Sequence, residues 1–193
     1  MLPKQIYALC DYATLQKKQI SLESYIDICH NYDIVYIQYR DKLSPLEKQK
    51  QNLLQLQSLT SIPIIINDRL ELLDYVDGLH FGQEDLEELS KQLKITDKIL
   101  LIKFLRKKYP NKIFGLSTHN EKEILEANNL DLNYIGLGAY RATNTKNVST
   151  IVGEKISYLA KISKHPVGAI GGVKIDDDIL NIKYNVIGSD LLK

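Results

Sequence analysis

Residues 62–93 read IPIIINDRLELLDYVDGLHFGQEDLEELSKQL. The run Ile62–Asp68 is apolar and β-rich and ends on two polar residues. A second short run, Gly78–Gly82, follows soon after, and Asp85–Leu93 then carries apolar residues at helical spacing. Strand, crossover, strand, helix is the order this stretch predicts, and the same rhythm extends to both ends of the chain.

Working outward, further strands are expected at Ile6–Asp11, Ile34–Arg40, Lys112–Ser117, Tyr134–Ala139, Val167–Gly172 and Asn185–Ser189, which makes eight. Between them, Leu22, Tyr25, Ile26 and Cys29 recur at helical spacing. So do Leu53, Leu54 and Leu56 with Leu59, and Ile124, Leu125 and Ala127 with Leu130. Ser21 ahead of Glu23, and Thr118 with Asn120 ahead of Glu123, have the chemistry of helix N-caps. Thr96–Asn111 reads as a second helix in the fourth crossover, stopped by Pro110.

Eight βα units suit a closed barrel better than an open doubly wound sheet. The expected fold is therefore α/β, a single (β/α)8 TIM barrel spanning residues 1–193 as one domain. At 193 residues it is short for that architecture, which commonly takes about 250. Little more than Leu191–Lys193 follows the eighth strand, so the last outer helix is expected to be missing or vestigial. Barrel surface left bare on that side points to a contact between subunits, and hence to a homo-oligomer.

Composition narrows the function classes. Lys and Arg number 25 against 24 Asp and Glu, a net charge of +1 that supplies no general field for nucleic acid or an anionic membrane. The longest apolar runs are too short to span a bilayer, and the start of the chain lacks the pattern of a secretory leader. No nucleic acid, no membrane and a cytoplasmic location are the expectations. Cys10 and Cys29 have neither metal-site nor disulfide-framework spacing and read as reduced structural thiols.

Barrel active sites form at the C-terminal strand ends. Those ends carry Gln38, Arg40 and Lys42; Asn67 and Asp68; Gln83 and Asp85; Ser117 and Thr118; Thr143, Thr145 and Lys146; Gly171 and Gly172; and Gly188 and Ser189. Asp68 and Asp85 offer two hard carboxylates and Arg40, Lys42 and Lys146 three cations, the set that a magnesium-borne polyphosphate needs. Each also has a plainer role, as a solvated strand end or a helix cap. The glycines after strands seven and eight suit a second phosphate held by backbone N–H groups, or simply tight turns.

Taken in order, QYRDK (38–42), INDRLELL (66–73), DGLHFGQEDL (77–86), GLSTHN (115–120), YIGLGAYRATNTK (134–146) and AIGG (169–172) resemble thiamine phosphate synthase across nearly the whole chain. The resemblance implies condensation of hydroxymethylpyrimidine diphosphate with thiazole phosphate to thiamine phosphate and pyrophosphate, with Mg2+ as cofactor. It assigns Gln38 to the pyrimidine diphosphate, and Arg40, Lys42, Asn67, Ser117 and Lys146 to its phosphates. The catalytic set it implies is Arg40, Lys42, Ser117 and Lys146. Asp68 and Asp85 would carry the metal, and Thr143, Thr145, Gly172, Gly188 and Ser189 the thiazole phosphate. Ala139, Arg141 and Ala142 depart from the family pattern, and Arg141 is a candidate for altering thiazole access or adding a phosphate contact. Two rival readings are a thiazole tautomerase, with His119 as its acid–base group, and a non-catalytic barrel that binds a thiamine precursor.

Overall fold

The computed structural model describes residues 4–142 and 151–193. Eight parallel strands close into a barrel in chain order: β1 (Gln5–Asp11), β2 (Ile34–Arg40), β3 (Ile64–Asn67), β4 (Gly78–Phe81), β5 (Ile113–Thr118), β6 (Tyr134–Gly138), β7 (Val167–Ile170) and β8 (Tyr184–Ile187). Strand β1 pairs with both β2 and β8, which shuts the ring and leaves no edge.

The boundaries follow local chemistry. β2 begins and ends where the sequence places it. β3 starts at Ile64 rather than Ile62, because Pro63 has no N–H to give to the ladder; its carbonyl accepts from Ile37 N at 3.0 Å instead. β8 stops at Ile187, and the backbone then turns into a 3₁₀ segment, Ser189–Leu192.

Seven α-helices surround the barrel among the described residues: α1 (Tyr12–Lys18), α2 (Leu22–His30), α3 (Leu46–Leu59), α4 (Gln83–Leu93), α5 (Lys98–Lys108), α6 (Glu121–Ala127) and α7 (Ile156–Ile162). The ring is thin at two crossovers. The third crossover holds only a 3₁₀ turn, Leu70–Tyr75, and the seventh has no helix. The fourth crossover does carry two helices, α4 and α5. All four residues of the α2 stripe are buried, and Ser21 caps that helix by accepting from Ser24 N at 3.1 Å. Leu54 and Leu125, counted with their stripes in the sequence, are about half exposed. Each follows a buried residue by one position, and a step of roughly 100° carries the side chain off the buried face. Among the described residues, no helix is long and apolar enough to cross a membrane.

Strand parity divides the core in two. Outward residues such as Ala8, Ile37, Ile66, Leu79, Phe114, Leu137 and Ala169 join the helices in one large apolar cluster. Tyr7, Ile65, Tyr134, Tyr184 and Val186 form a second cluster inside the barrel, with Tyr36 against it. Glycines make room for these rings: a Cβ at Gly115 would lie 2.2 Å from Tyr134 Cζ. The tyrosines meet edge-on or stacked at centroid distances of 5.5–6.2 Å.

Candidate active site

A cavity of about 740 Å³ opens at the C-terminal ends of the strands. Of the residues picked out from sequence, Gln38, Arg40, Lys42, Asn67, Asp68, Asp85, Ser117, Gly172, Gly188 and Ser189 all line it. Thr143, Thr145 and Lys146 lie outside the described residues. Thr118 does not reach the cavity: it is fully buried, and its hydroxyl donates to Gly136 O.

The acidic pair is built by β3 and β4. Asp68 has φ +63°, in the left-handed region that aspartate tolerates better than most side chains. Its backbone N–H still donates to His80 O at 2.9 Å, so the bend occurs without breaking from β4. Its carboxylate accepts from Gly82 N at 3.0 Å and from the Asn67 amide. Asp85 sits in the first turn of α4 and leans back over Gly82; a Cβ at that glycine would lie 2.5 Å from Asp85 Oδ2 and 3.9 Å from Asp68 Oδ1. Both acids therefore reach the same point of the rim.

Lys42 joins them. Its ammonium pairs with Asp68 Oδ2 and lies 3.9 Å from Asp85 Oδ1. The loop that carries it is pinned by Asp41, whose carboxylate accepts from Leu43 N at 3.1 Å, Ser44 N at 3.0 Å and the Tyr39 hydroxyl at 2.9 Å. Burial works to raise the Asp41 pKa, but the hydrogen bonds from Ser44, Leu43 and Tyr39 outweigh it and hold the carboxyl below the usual aspartate range. Asp85 goes the other way. Burial and the neighbouring Asp68 charge push its pKa up, and Lys42 offsets this only in part.

This rim has a place for a cation, because an ammonium already lies against both carboxylates. The donors are hard oxygens, as magnesium prefers. Among the described residues, no group of three or more His, Cys, Asp or Glu side chains gathers to enclose a metal. The two carboxylates would thus be a partial set, completed by oxygens of a ligand and by water, which is how magnesium commonly binds beside phosphates.

Arg40 is also paired, donating to Asp11 Oδ2 at 2.5 Å, while Asp11 caps α1 through Thr14 N at 3.0 Å. Arg141 does not point to an open phosphate position. It grips Asp177 with two nitrogens at 2.5 and 2.9 Å, donates to Gly172 O at 3.1 Å, and stacks on the Tyr140 ring. Gly171 and Gly172 have φ +79° and +66° and pack against Ala139 and Arg141, where a Cβ would collide. Tight packing between the sixth and seventh strand ends is thus a sufficient reason for both glycines.

His119, the acid–base candidate of the tautomerase reading, lines the cavity too, as do the deeper Tyr7, His80 and Tyr134, which went unread in the sequence. His119 Nδ1 lies 2.8 Å from Glu123 Oε2, which also accepts the His119 backbone N–H, and Asn120 caps α6. Deeper, Gln38 Nε2 donates to Tyr7 Oη at 3.0 Å. Tyr7 Oη and Tyr134 Oη are 2.7 Å apart, Tyr134 Oη and His80 Nδ1 2.9 Å, and His80 Nε2 and Ser117 Oγ 2.9 Å. Burial pushes both phenols well above their ordinary range, so they keep their hydrogens. Parity was the available signal: Tyr7, Gln38, His80, Ser117 and Tyr134 all occupy inward positions of their strands. So was composition, with 12 Tyr against 3 Phe and no Trp.

Residues 6–186 match the family model described as thiamine monophosphate synthase. The chain belongs to the thiamine-phosphate synthase family. Among curated relatives, the thiamine-phosphate synthase of Persephonella marina is 33% identical over 174 residues, covering 87% of this chain and 76% of that one. The enzyme of that name from Pelotomaculum thermopropionicum is 32% identical over 148 residues, 73% of this chain and 62% of its own length. Among solved structures, thiamine phosphate pyrophosphorylase from Pyrococcus furiosus superposes with a TM-score of 0.74 at 22% identity, covering 96% of this chain and 85% of that one. The geranylgeranylglyceryl phosphate synthase of Thermoplasma acidophilum, solved with sn-glycerol-1-phosphate, gives 0.65 at 13% identity over 98% and 87%. At such identities these two structures show the barrel alone. Membership in the thiamine-phosphate synthase family supports a transferase-like activity in thiamine biosynthesis.

Proposed function

We propose that the protein condenses hydroxymethylpyrimidine diphosphate with thiazole phosphate, giving thiamine phosphate and pyrophosphate. The observation that carries this reading is the meeting of Asp68 and Asp85 around one ammonium, at a mouth that also holds Arg40, Asn67 and Ser117.

The reaction breaks the bond between the pyrimidine methylene carbon and the diphosphate oxygen, which leaves with the electron pair. The thiazole nitrogen lone pair forms the new C–N bond, so no side-chain nucleophile or general base is needed. What the protein must do is hold the leaving group and aim the nitrogen. Arg40, Lys42, Asn67 and Ser117, with Lys146, hold the diphosphate, and Gln38 takes the pyrimidine. Gly172, Gly188 and Ser189, with Thr143 and Thr145, take the thiazole phosphate. Magnesium would be held by Asp68 and Asp85 and, when bound, supplies charge neutralisation for the departing oxygens. Lys42 then exchanges its carboxylate partner for a phosphate oxygen.

A second reading, thiazole tautomerase, draws support from the His119–Glu123 pair at the cavity wall, an arrangement suited to acid–base work. One assay separates them. The purified protein is mixed with both substrates and magnesium, and in parallel with the thiazole carboxylate tautomer. Thiamine phosphate is the expected product; isomerised thiazole without it would move the assignment to the tautomerase.

A further inference from the structure

The hydrogen-bonded line from Gln38 to Ser117 crosses the barrel from β2 through β1, β6 and β4 to β5, and nothing in the reaction above uses its middle members. Each hydroxyl in it has one hydrogen, and each nitrogen of a neutral imidazole either donates or accepts. The direction of one bond therefore sets the rest. The Gln38 amide nitrogen can only donate, and it donates to Tyr7 Oη. Tyr7 is buried, and an unpaired buried hydroxyl hydrogen is costly, so it donates onward to Tyr134. Tyr134 in turn donates to His80 Nδ1, which leaves the ring proton on Nε2, directed at Ser117 Oγ. The hydrogen of Ser117 then has no partner among the described residues along this line and is available to the cavity. At the other end, the amide hydrogen given to Tyr7 fixes which way the Gln38 amide faces, and its carbonyl oxygen is the group that accepts.

We infer that Tyr7, Tyr134 and His80 are positioning residues that fix Gln38 as an acceptor and Ser117 as a donor at once, selecting a ligand with an N–H group at one end and an anionic oxygen at the other. An aminopyrimidine diphosphate has both, so the inference deepens the function proposed above and rests on it for the identity of the ligand. The line makes the two ends interdependent. A ligand that needs Ser117 to donate finds Gln38 already turned to receive an amine.

The test is the His80 tautomer, read in the free, 15N-labelled protein by two-bond proton–nitrogen correlation of the ring. The expected state is neutral, with the proton on Nε2; a proton on Nδ1, or on both nitrogens, overturns the inference. Gln38→Glu places an acceptor-only carboxylate at the head of the line and is expected to move the proton to Nδ1. Adding Tyr134→Phe cuts the line, and the double variant should match Tyr134→Phe alone; an unchanged His80 in Gln38→Glu counts against the relay. In turnover, Tyr134→Phe is expected to raise KM for the pyrimidine diphosphate about three- to tenfold, the worth of one net hydrogen bond, with KM for the thiazole phosphate unchanged. Equal rises in both would overturn the assignment to the pyrimidine end. The two failures are separable: an active enzyme with Nδ1–H sinks only the relay, whereas a protein with Nε2–H that makes no thiamine phosphate sinks only the reaction.

Discussion

Replacing Gly82 with alanine puts one methyl group where the two acids meet. The backbone allows it, since φ −75° and ψ 164° are ordinary extended values. The new Cβ would stand 2.5 Å from Asp85 Oδ2, 3.7 Å from its Cγ and 3.9 Å from Asp68 Oδ1. Asp85 must move. Its side chain is 40% exposed, so it can swing into solvent at little cost, while the Gly82 N–H to Asp68 bond survives because the backbone is unchanged. Stability should shift by less than about 0.5 kcal/mol, under about 2 °C in Tm for a chain of this length. Loss of one carboxylate from a two-carboxylate site should raise the magnesium concentration needed for half-maximal activity by roughly 10–100-fold. Gly115→Ala is the contrast, because its Cβ meets the buried Tyr134 ring at 2.2 Å; overpacking there costs about 1–3 kcal/mol. Calorimetric melting and a magnesium titration of the condensation rate read both effects. A Gly82→Ala enzyme with native magnesium dependence would refute the reasoning, as would one that loses its fold.

Three other outcomes follow from the same geometry. The folded-state pKa of Asp85 is raised, so its ionised form opposes folding once pH exceeds the ordinary aspartate value; Asp85→Asn should melt higher than the parent at pH 7 without magnesium, yet respond less to the added ion. Asp177 is the reverse, held low by Arg141, so that contribution is full at neutral pH and fades as pH falls through the depressed pKa. Arg141→Ala should lose about 1 kcal/mol at pH 7, and the gap in Tm to the parent should narrow in strong acid, where only the bond to Gly172 O and the stack on Tyr140 still separate them. Burial pushes the Cys29 thiol up to about 11 and that of Cys10 well above its ordinary range, so iodoacetamide at pH 8 should label neither by mass spectrometry until denaturant is added.

The barrel and most of its rim were legible because both rest on short-range pattern. Tyr36–Arg40 alternates inward polar side chains with outward Ile37 and Tyr39, and a strand end delivers Gln38, Arg40 and Asn67 to one mouth whatever the crossovers do. The third and seventh crossovers were harder, since a 3₁₀ turn such as Leu70–Tyr75 carries too little periodicity to be told from a helix. Partners distant in sequence were not legible at all. Arg40 with Asp11 and Arg141 with Asp177 are 29 and 36 positions apart, and only closure of the barrel brings them together. That is why Arg141 reads in the sequence as a spare phosphate ligand and in the structure as a clamp between two strand ends. The lumen tyrosines were missed for another reason: they look like core, and their hydroxyls find partners only across the ring.

The central claim is that the acidic pair holds the leaving group through a divalent ion. Calorimetric titration of inorganic pyrophosphate into the protein, with and without magnesium, addresses it directly. Tight binding that needs magnesium, and that Asp68→Asn abolishes while leaving the melting curve in place, is the result expected here. Pyrophosphate bound equally well in the presence of a chelator, or by the Asp68→Asn protein, would contradict it.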